Sequence, residues 1–174
     1  LYDWIVGKEY FLRYVKNFDT VVQAGGCCGM YPRFYSNYFK NIWTFEPNPD
    51  NYECLDLNCV GVQYHKFNMA LGNKISKNMS MSGGSEANVG TFKISEKTSG
   101  ELAMTTLDTL KLTSCDLIHL DVEGYEEKVL LGAKETIRKF SPVIIVERDG
   151  GKELLKSLGY HKEVTTRMDS LYII

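Results

Sequence analysis

The sequence predicts an α/β domain: a mostly parallel sheet with helices on both faces, ending in an antiparallel hairpin. Three observations predict it. Short apolar runs alternate with stretches of helical periodicity, the pattern that builds a parallel sheet. The first such run, Thr20 to Ala24, goes straight into glycines, which marks a tight turn after a strand. The last two runs, His161 to Thr166 and Ser170 to Ile174, have too short a link for a crossover helix. They must therefore pair antiparallel.

The elements follow in order. Residues 3 to 18 read as one amphipathic helix, with Trp4, Phe11, Tyr14, Val15 and Phe18 on one face. Thr20 to Ala24 is the first strand. Tyr31 to Lys40 reads as a helix, because Tyr31, Phe34, Tyr35, Tyr38 and Phe39 recur at helical spacing. A core stripe explains them better than an aromatic ligand cage. Ile42 to Phe45 is the second strand, ended by Glu46-Pro47-Asn48-Pro49. Two prolines so close forbid a continuing helix or central strand. Asp50 to Asn58 returns to helix, with Asp50 the expected N-cap. Val62 to Phe67 is the third strand.

Lys74 to Ile94 is rich in Ser, Asn and Gly and carries Gly83-Gly84, so it reads as a hairpin or ordered loop. Thr105 to Leu110 starts a short connection. Asp116 to Val122 is the fourth strand, followed by a helix from Tyr125 to Lys139. Pro142 to Glu147 is the fifth strand, and Lys152 to Leu158 is a helix ended by Gly159. The whole of residues 1–174 is expected to form one domain.

Composition narrows the function. Apolar residues make up 44% of the 174, enough for a packed core. The formal charge is −2, and no dense Lys/Arg run appears. A phosphate-tracking nucleic-acid surface is therefore not expected. No apolar run approaches the roughly 20 residues of a membrane span, and no signal-peptide pattern stands at the start. The chain opens on Leu1 rather than Met, so N-terminal sequence can be missing and targeting stays open. The five cysteines, Cys27, Cys28, Cys54, Cys59 and Cys115, show no Cys-x-x-Cys spacing. They read as reduced thiols of a cytoplasmic protein, packed as small hydrophobes.

In such sheets, ligands bind beyond the carboxyl ends of the strands, at the switch point. Three segments fall there. The first is Gln23 to Gly29, a strand–glycine–helix turn. Gly25 and Gly29 remove side chains where a backbone must approach a ligand or take positive φ. The second is Glu46, whose carboxylate at the next strand end can accept hydrogen bonds from ribose hydroxyls. Together they suggest a nucleoside site. A dinucleotide site would want Gly-x-Gly-x-x-Gly, and the glycines at 25, 26 and 29 fail that spacing. The third is Asp121-Val122-Glu123-Gly124-Tyr125-Glu126. Its carboxylates can act as general bases or hard-cation ligands. Asp121 and Glu123, two apart, would share a face if the strand persisted. Glu126 reads as an acid at a helix N-terminus.

With these segments in view, the sequence resembles the FkbM-type methyltransferases. The landmarks fall in order from Phe18 onward: VVQAGGCCG at 21–29, FEPNP at 45–49, NMALGN at 68–73 and TTLDTL at 105–110. DLIHLDVEGYEEKVLLGA at 116–133, SPVIIVE at 141–147, LKSLGY at 155–160 and DSLYII at 169–174 complete the set. The resemblance implies a Rossmann-like class I methyltransferase fold and S-adenosylmethionine (SAM) as cofactor. It implies that Gln23, Ala24, Gly25, Gly26, Cys27 and Gly29 lie along the methionine end of SAM. Glu46 would hold the ribose, with Pro47 and Asn48 flanking the adenosine. Asn68, Met69 and Ala70 would approach the adenine, and Asp121 would sit beside the methionine moiety and the transferred methyl.

The family turn usually reads Asp-x-Gly-Ala-Asn-x-Gly, whereas here Gln23 replaces the acid and Cys27 the asparagine. Gln brings no charge to a SAM ammonium, and charge-assisted bonds are roughly twice as strong. Weaker SAM binding than in a Gln23→Asp variant is therefore expected. The implied reaction is methylation of a hydroxyl on a small molecule or glycan. Asp121 is the expected base or positioning group, assisted by Glu123 or Glu147. No metal is expected, since no complete ligand set can be named from sequence. His119 reads as a packed strand histidine. Residues 74–94 and the leading helix are the expected acceptor side. Two other readings are a SAM- or nucleotide-binding module without catalysis and a nucleotide-dependent oxidoreductase.

Overall fold

The computed structural model describes residues 8–85, 88–95 and 100–174. Among them are a seven-stranded and a four-stranded sheet. The large sheet holds β1 (Thr20–Ala24), β2 (Asn41–Phe45), β3 (His65–Phe67), β8 (Leu117–Leu120), β9 (Val143–Glu147), β10 (His161–Thr165) and β11 (Asp169–Ile173). The small sheet holds β4 (Ala70–Leu71), β5 (Ser76–Ser85), β6 (Asn88–Ser95) and β7 (Leu102–Thr105). Five α-helices are described: α1 (Met30–Tyr35), α2 (Pro49–Asn58), α3 (Glu126–Leu131), α4 (Lys134–Phe140) and α5 (Lys152–Ser157).

The large sheet runs β10-β11-β9-β8-β1-β2-β3. β1 pairs parallel with both β2 and β8, β2 with β3 and β8 with β9. β11 pairs antiparallel with β9 and β10. This is the mostly parallel sheet closed by an antiparallel hairpin that the sequence predicts. Chain order leaves β1 in two directions, so the switch point lies between β1 and β8, where a ligand cleft is expected.

Strand periodicity divides the core between the two faces. Val22, Ile118 and Ile144 face Leu130 of α3, Ile137 of α4 and Leu155 of α5. Val21, Leu117 and Ile145 face Phe11 and the α1 residues Tyr31 and Tyr35. Helical segments therefore cover both faces. Phe11 is fully buried, and burying a side chain of that size contributes about 1.5–3 kcal/mol. That holds the N-terminal segment against the sheet.

Several element boundaries differ from expectation. The leading helix is a 3-10 helix over Lys8–Arg13; Trp4 lies outside the described residues. The helix expected from Tyr31 to Lys40 ends with Tyr35 and Ser36, and turns carry the chain on through Tyr38 and Phe39 to Tyr35 O. Tyr31, Tyr35 and Phe39 are buried all the same. The third strand begins at His65 rather than Val62. Asn48, not Asp50, caps α2: its side-chain oxygen accepts from the Asp50 and Asn51 N–H groups, with Pro49 at the first helical position.

The helix expected from Tyr125 to Lys139 breaks at Gly132. A Cβ there would lie 1.9 Å from the Gly72 carbonyl oxygen, so the backbone of a neighbouring loop occupies that space. Asp108 then caps the second piece, its carboxylate accepting from Glu135 N at 3.1 Å and Thr136 N at 2.8 Å. The fourth strand stops at Leu120, so Asp121 and Glu123 do not share a strand face. The segment expected to be a hairpin or ordered loop holds β5 and β6, which pair antiparallel in the small sheet. Among the described residues no helix is long and apolar enough to cross a membrane.

Candidate active site

The carboxyl ends of β1, β2, β8 and β9 open into one cleft of about 1140 Å³. β1 delivers the chain to Gly25 and Gly26, whose N–H groups both donate to Phe45 O at 3.0 Å. This pair of hydrogen bonds to the end of β2 sets the turn. Gly25 has φ +86°, and a Cβ on it would lie 1.9 Å from Asp121 O. Only glycine fits there. Cys27 follows at φ 44°, an unusual conformation for a residue with a side chain.

Glu46 faces this turn from the end of β2 and is 5% exposed. One carboxylate oxygen accepts the Cys27 N–H at 2.6 Å and the other the Asn48 N–H at 2.8 Å. The Asn51 side chain is a third partner; a carboxylate has about four acceptor positions, so capacity remains for a ligand hydroxyl. Burial pushes the Glu46 carboxyl above its ordinary value, and the N–H groups of Asn48 and Cys27 only partly offset this.

On the opposite side, Asp121, Glu123 and Glu147 each bring a carboxylate oxygen within 4.8 Å of the others. The chain turns sharply after β8, with Glu123 at φ 54° and Gly124 at φ 94°. Glu126 holds that turn, accepting from Val122 N at 3.3 Å and Gly124 N at 3.2 Å. Asp121 N donates to Ala24 O at 3.0 Å, which ties the acid to the end of β1. Glu147 ends β9. Burial and the Glu123 charge push its carboxyl above the ordinary value, against the pull of Arg148. Arg148 Nε stands 3.5 Å from Glu147. Arg148, like Cys27 and Glu123, has positive φ and lines the cleft; such conformations cluster at functional sites. An acidic group of this kind can take a proton or hold a hard cation.

The model of the family described as methyltransferase FkbM domain matches residues 25–171. The chain belongs to the FkbM methyltransferase family. Solved structures share its fold. The methyltransferase FkbM of Methylobacillus flagellatus KT matches with a TM-score of 0.61 at 16% identity, over 95% of this chain and 46% of that one. The present chain thus spans less than half the length of that relative. An rRNA methylase of Streptococcus thermophilus matches with a TM-score of 0.54 at 9% identity, over 95% of this chain and 93% of that one. A SAM-dependent methyltransferase of Aquifex aeolicus gives 0.52 at 13%, over 96% and 88%. No match was found among curated protein sequences.

The structure of this FkbM-family chain brings most of the residues singled out in the sequence to the one cleft. Ala24, Gly25, Gly26, Cys27, Gly29, Glu46, Pro47 and Ala70 line it, with Asp121, Glu123 and Glu147. Four do not line it: Gln23, Asn48, Asn68 and Met69. Gln23 is fully buried; its oxygen accepts from Thr44 Oγ1 at 2.7 Å and its amide donates to Gly25 O at 2.7 Å. Asn48 is occupied as the α2 cap. Asn68 ties down the preceding loop, donating to the Glu46 and Pro47 carbonyls at 3.0 and 3.2 Å. His119 is 1% exposed and bonds Tyr35 OH through Nδ1 at 2.8 Å, the packed histidine expected.

Sequence reasoning missed Tyr31, Arg33, Arg148 and Met168, which also line the cleft. The first two follow the glycine turn and Arg148 follows Glu147, so closeness to strand ends was a usable signal for them; Met168 offered none. Phe92 and Ile94 of β6, from the 74–94 segment, line the cleft. The described N-terminal residues do not line it: Phe11 and Val15 point into the core.

Proposed function

We propose that this chain binds SAM in the cleft and methylates a hydroxyl of a small molecule or glycan. The observation that carries the reading is the pairing of two walls. A glycine-rich turn with a buried carboxylate lies on one side, and three convergent acids lie on the other. The residues fit SAM. Its ribose presents hydroxyls that Glu46 can accept, and its sulfonium and ammonium suit a wall of carboxylates. Gly25 and Gly26 give up their side-chain space to Asp121 O and Thr44 Oγ1 and present backbone to the methionine portion.

When bound, SAM supplies an electrophilic methyl for in-line displacement. The protein's work is then mainly positioning. Glu46, Pro47 and Ala70 fix the nucleoside end, and the Gly25–Gly29 backbone fixes the amino-acid end. Asp121, anchored to Ala24 and packed on Gly25, accepts the proton of the acceptor hydroxyl or orients it. Glu147 assists, because its raised pKa brings it nearer to working pH as a proton acceptor. Phe92 and Ile94 offer an apolar surface to the body of the acceptor.

The test is label transfer. The protein is incubated with methyl-labelled SAM and pools of hydroxylated metabolites and glycans, and products are read by mass spectrometry. A labelled methyl ether supports the reading. SAM binding without transfer to any pool would point to a binding module, and NAD binding in place of SAM would sink the proposal.

A further inference from the structure

Four of the five cysteines gather at the cofactor turn. Cys27 Sγ lies 3.8 Å from Cys28 Sγ. The Cys54 thiol of α2 lies near Cys28, whose thiol, together with burial as the larger cause, raises its pKa. A second contact fixes the same approach. Asn58 lies one helical turn beyond Cys54, on the same face, and its amide donates to Cys28 O at 2.8 Å. Arg33 of α1 in turn donates to Asn58 O at 2.8 Å. Cys59 is 3% exposed and committed to Gly29 O at 3.3 Å. Cys28 and Cys54 are half-buried and reduced, so a small reagent can reach them.

We propose that Cys28 and Cys54 form a reversible disulfide that locks the cofactor turn onto α2 and weakens cofactor binding. The regulatory half of this statement rests on the SAM reading above; the disulfide itself does not. The partners are chosen by geometry. Neighbouring Cα atoms stand about 3.8 Å apart, below the roughly 4.4–6.8 Å that a relaxed disulfide spans, so Cys27 and Cys28 pair poorly with each other. A metal thiolate centre is disfavoured too. Among the described residues, no three thiols bring their sulfurs within 4.8 Å of one another. Two thiols on separate elements remain, which is the requirement for a cross-link.

The oxidant is a small-molecule disulfide such as glutathione disulfide. The Cys28 thiolate attacks one of its sulfurs, forms a mixed disulfide and expels one thiolate. The Cys54 thiolate then attacks the Cys28 sulfur, closes the Cys28–Cys54 bond and expels the second. Two cysteines lose two electrons in all, the reagent gains them, and the two protons end on the released thiols. Burial and the adjacent Cys28 thiol raise the Cys54 pKa, so exchange quickens at alkaline pH. The effect on the cleft follows from position. The Cys27 N–H donates to Glu46, and Cys27 already holds a positive φ. Drawing Cys28 onto α2 disturbs that donor.

The full chain is equilibrated in glutathione buffers of graded ratio, alkylated and mapped by peptide mass spectrometry. SAM affinity is titrated at each ratio. The expected result is a Cys28–Cys54 cross-link that accumulates with oxidation, lowers SAM affinity at least tenfold and reverses with dithiothreitol. Cys54→Ser should bind SAM as the reduced parent does and lose the sensitivity. Absence of the cross-link at every ratio overturns the proposal. So does a cross-linked protein that keeps the reduced protein's SAM affinity. If the reduced protein binds no SAM, the SAM reading fails, while the peptide map still decides the disulfide.

Discussion

The backbone carbonyl of Asp121 stands in the space that a side chain on Gly25 would occupy, 1.9 Å from an added Cβ. The first strand's turn and the fourth strand's acid are thus in direct backbone contact, and neither can move without the other. Gly25→Ala adds this clash to the strain of a positive φ. It should destabilise by more than the roughly 1–3 kcal/mol of strain alone and abolish SAM binding. Gly124 also has positive φ, but nothing lies within 4 Å of an added Cβ, so Gly124→Ala should cost only the strain. Thermal unfolding of the two variants checks the ranking; equal losses would refute it.

Glu46 joins the turn to the cofactor. Glu46→Gln keeps one acceptor oxygen but sets an amide against the N–H of either Cys27 or Asn48. A loss of about 1–3 kcal/mol in stability is expected, with SAM affinity reduced tenfold or more. Calorimetric titration decides it, and parental affinity would remove Glu46 from the ribose.

Asp121→Asn tests the chemical step. The backbone bond to Ala24 survives and the side chain keeps its shape but loses its basicity. Turnover should fall by roughly 10²–10⁴, far more than SAM affinity, because Glu123 and Glu147 still present carboxylates to the cofactor. Normal turnover would take Asp121 out of the reaction.

The pH dependence follows from Glu147. Its pKa is raised by burial and by Glu123, Glu126 and Asp169, against Arg148. The ionised form is the useful one, so turnover should fall as pH drops through a midpoint above the ordinary glutamate value. Glu123→Gln should move that limb to lower pH, and Arg148→Ala to higher pH. Stability runs the other way. A raised folded pKa favours the protonated acid, so the contribution is full below the unfolded value and is lost as pH rises through the folded one. pH–rate profiles of the three proteins suffice, and coincident limbs would exclude Glu147.

The burial of Gln23 bears on an expectation drawn from the sequence. From sequence, an acid at this position should tighten SAM binding. In the structure Gln23 is buried, receives a bond from Thr44 and gives one to Gly25 O. Gln23→Asp would bury a charge, remove the donor to Gly25 and confer no contact with the cleft. It should cost about 3–5 kcal/mol, as an uncompensated buried charge does, without improving SAM affinity. Chemical denaturation with parallel titration measures both.

The sheet was legible in the residues. Thr20–Ala24, Leu117–Leu120 and Val143–Glu147 are short, mostly apolar runs without polar alternation, of a kind that a two-sided core accepts. The closing hairpin followed from a link too short to cross over. Helix limits were less legible. Gly132 breaks a periodic stretch because the Gly72 backbone needs its space, and that neighbour is remote in sequence.

By itself, then, the sequence determined the fold class, the family motifs and the placing of Glu46 and Asp121 at strand ends, since these depend on local periodicity and on residue order. Tertiary structure alone decided the rest. It converged Glu147 on Asp121 and Glu123, although their strand stops short, and it turned Gln23 inward. It also set Cys54 beside Cys28. Each is a contact between distant segments, and its geometry is settled by how the elements pack rather than by the local pattern of either one.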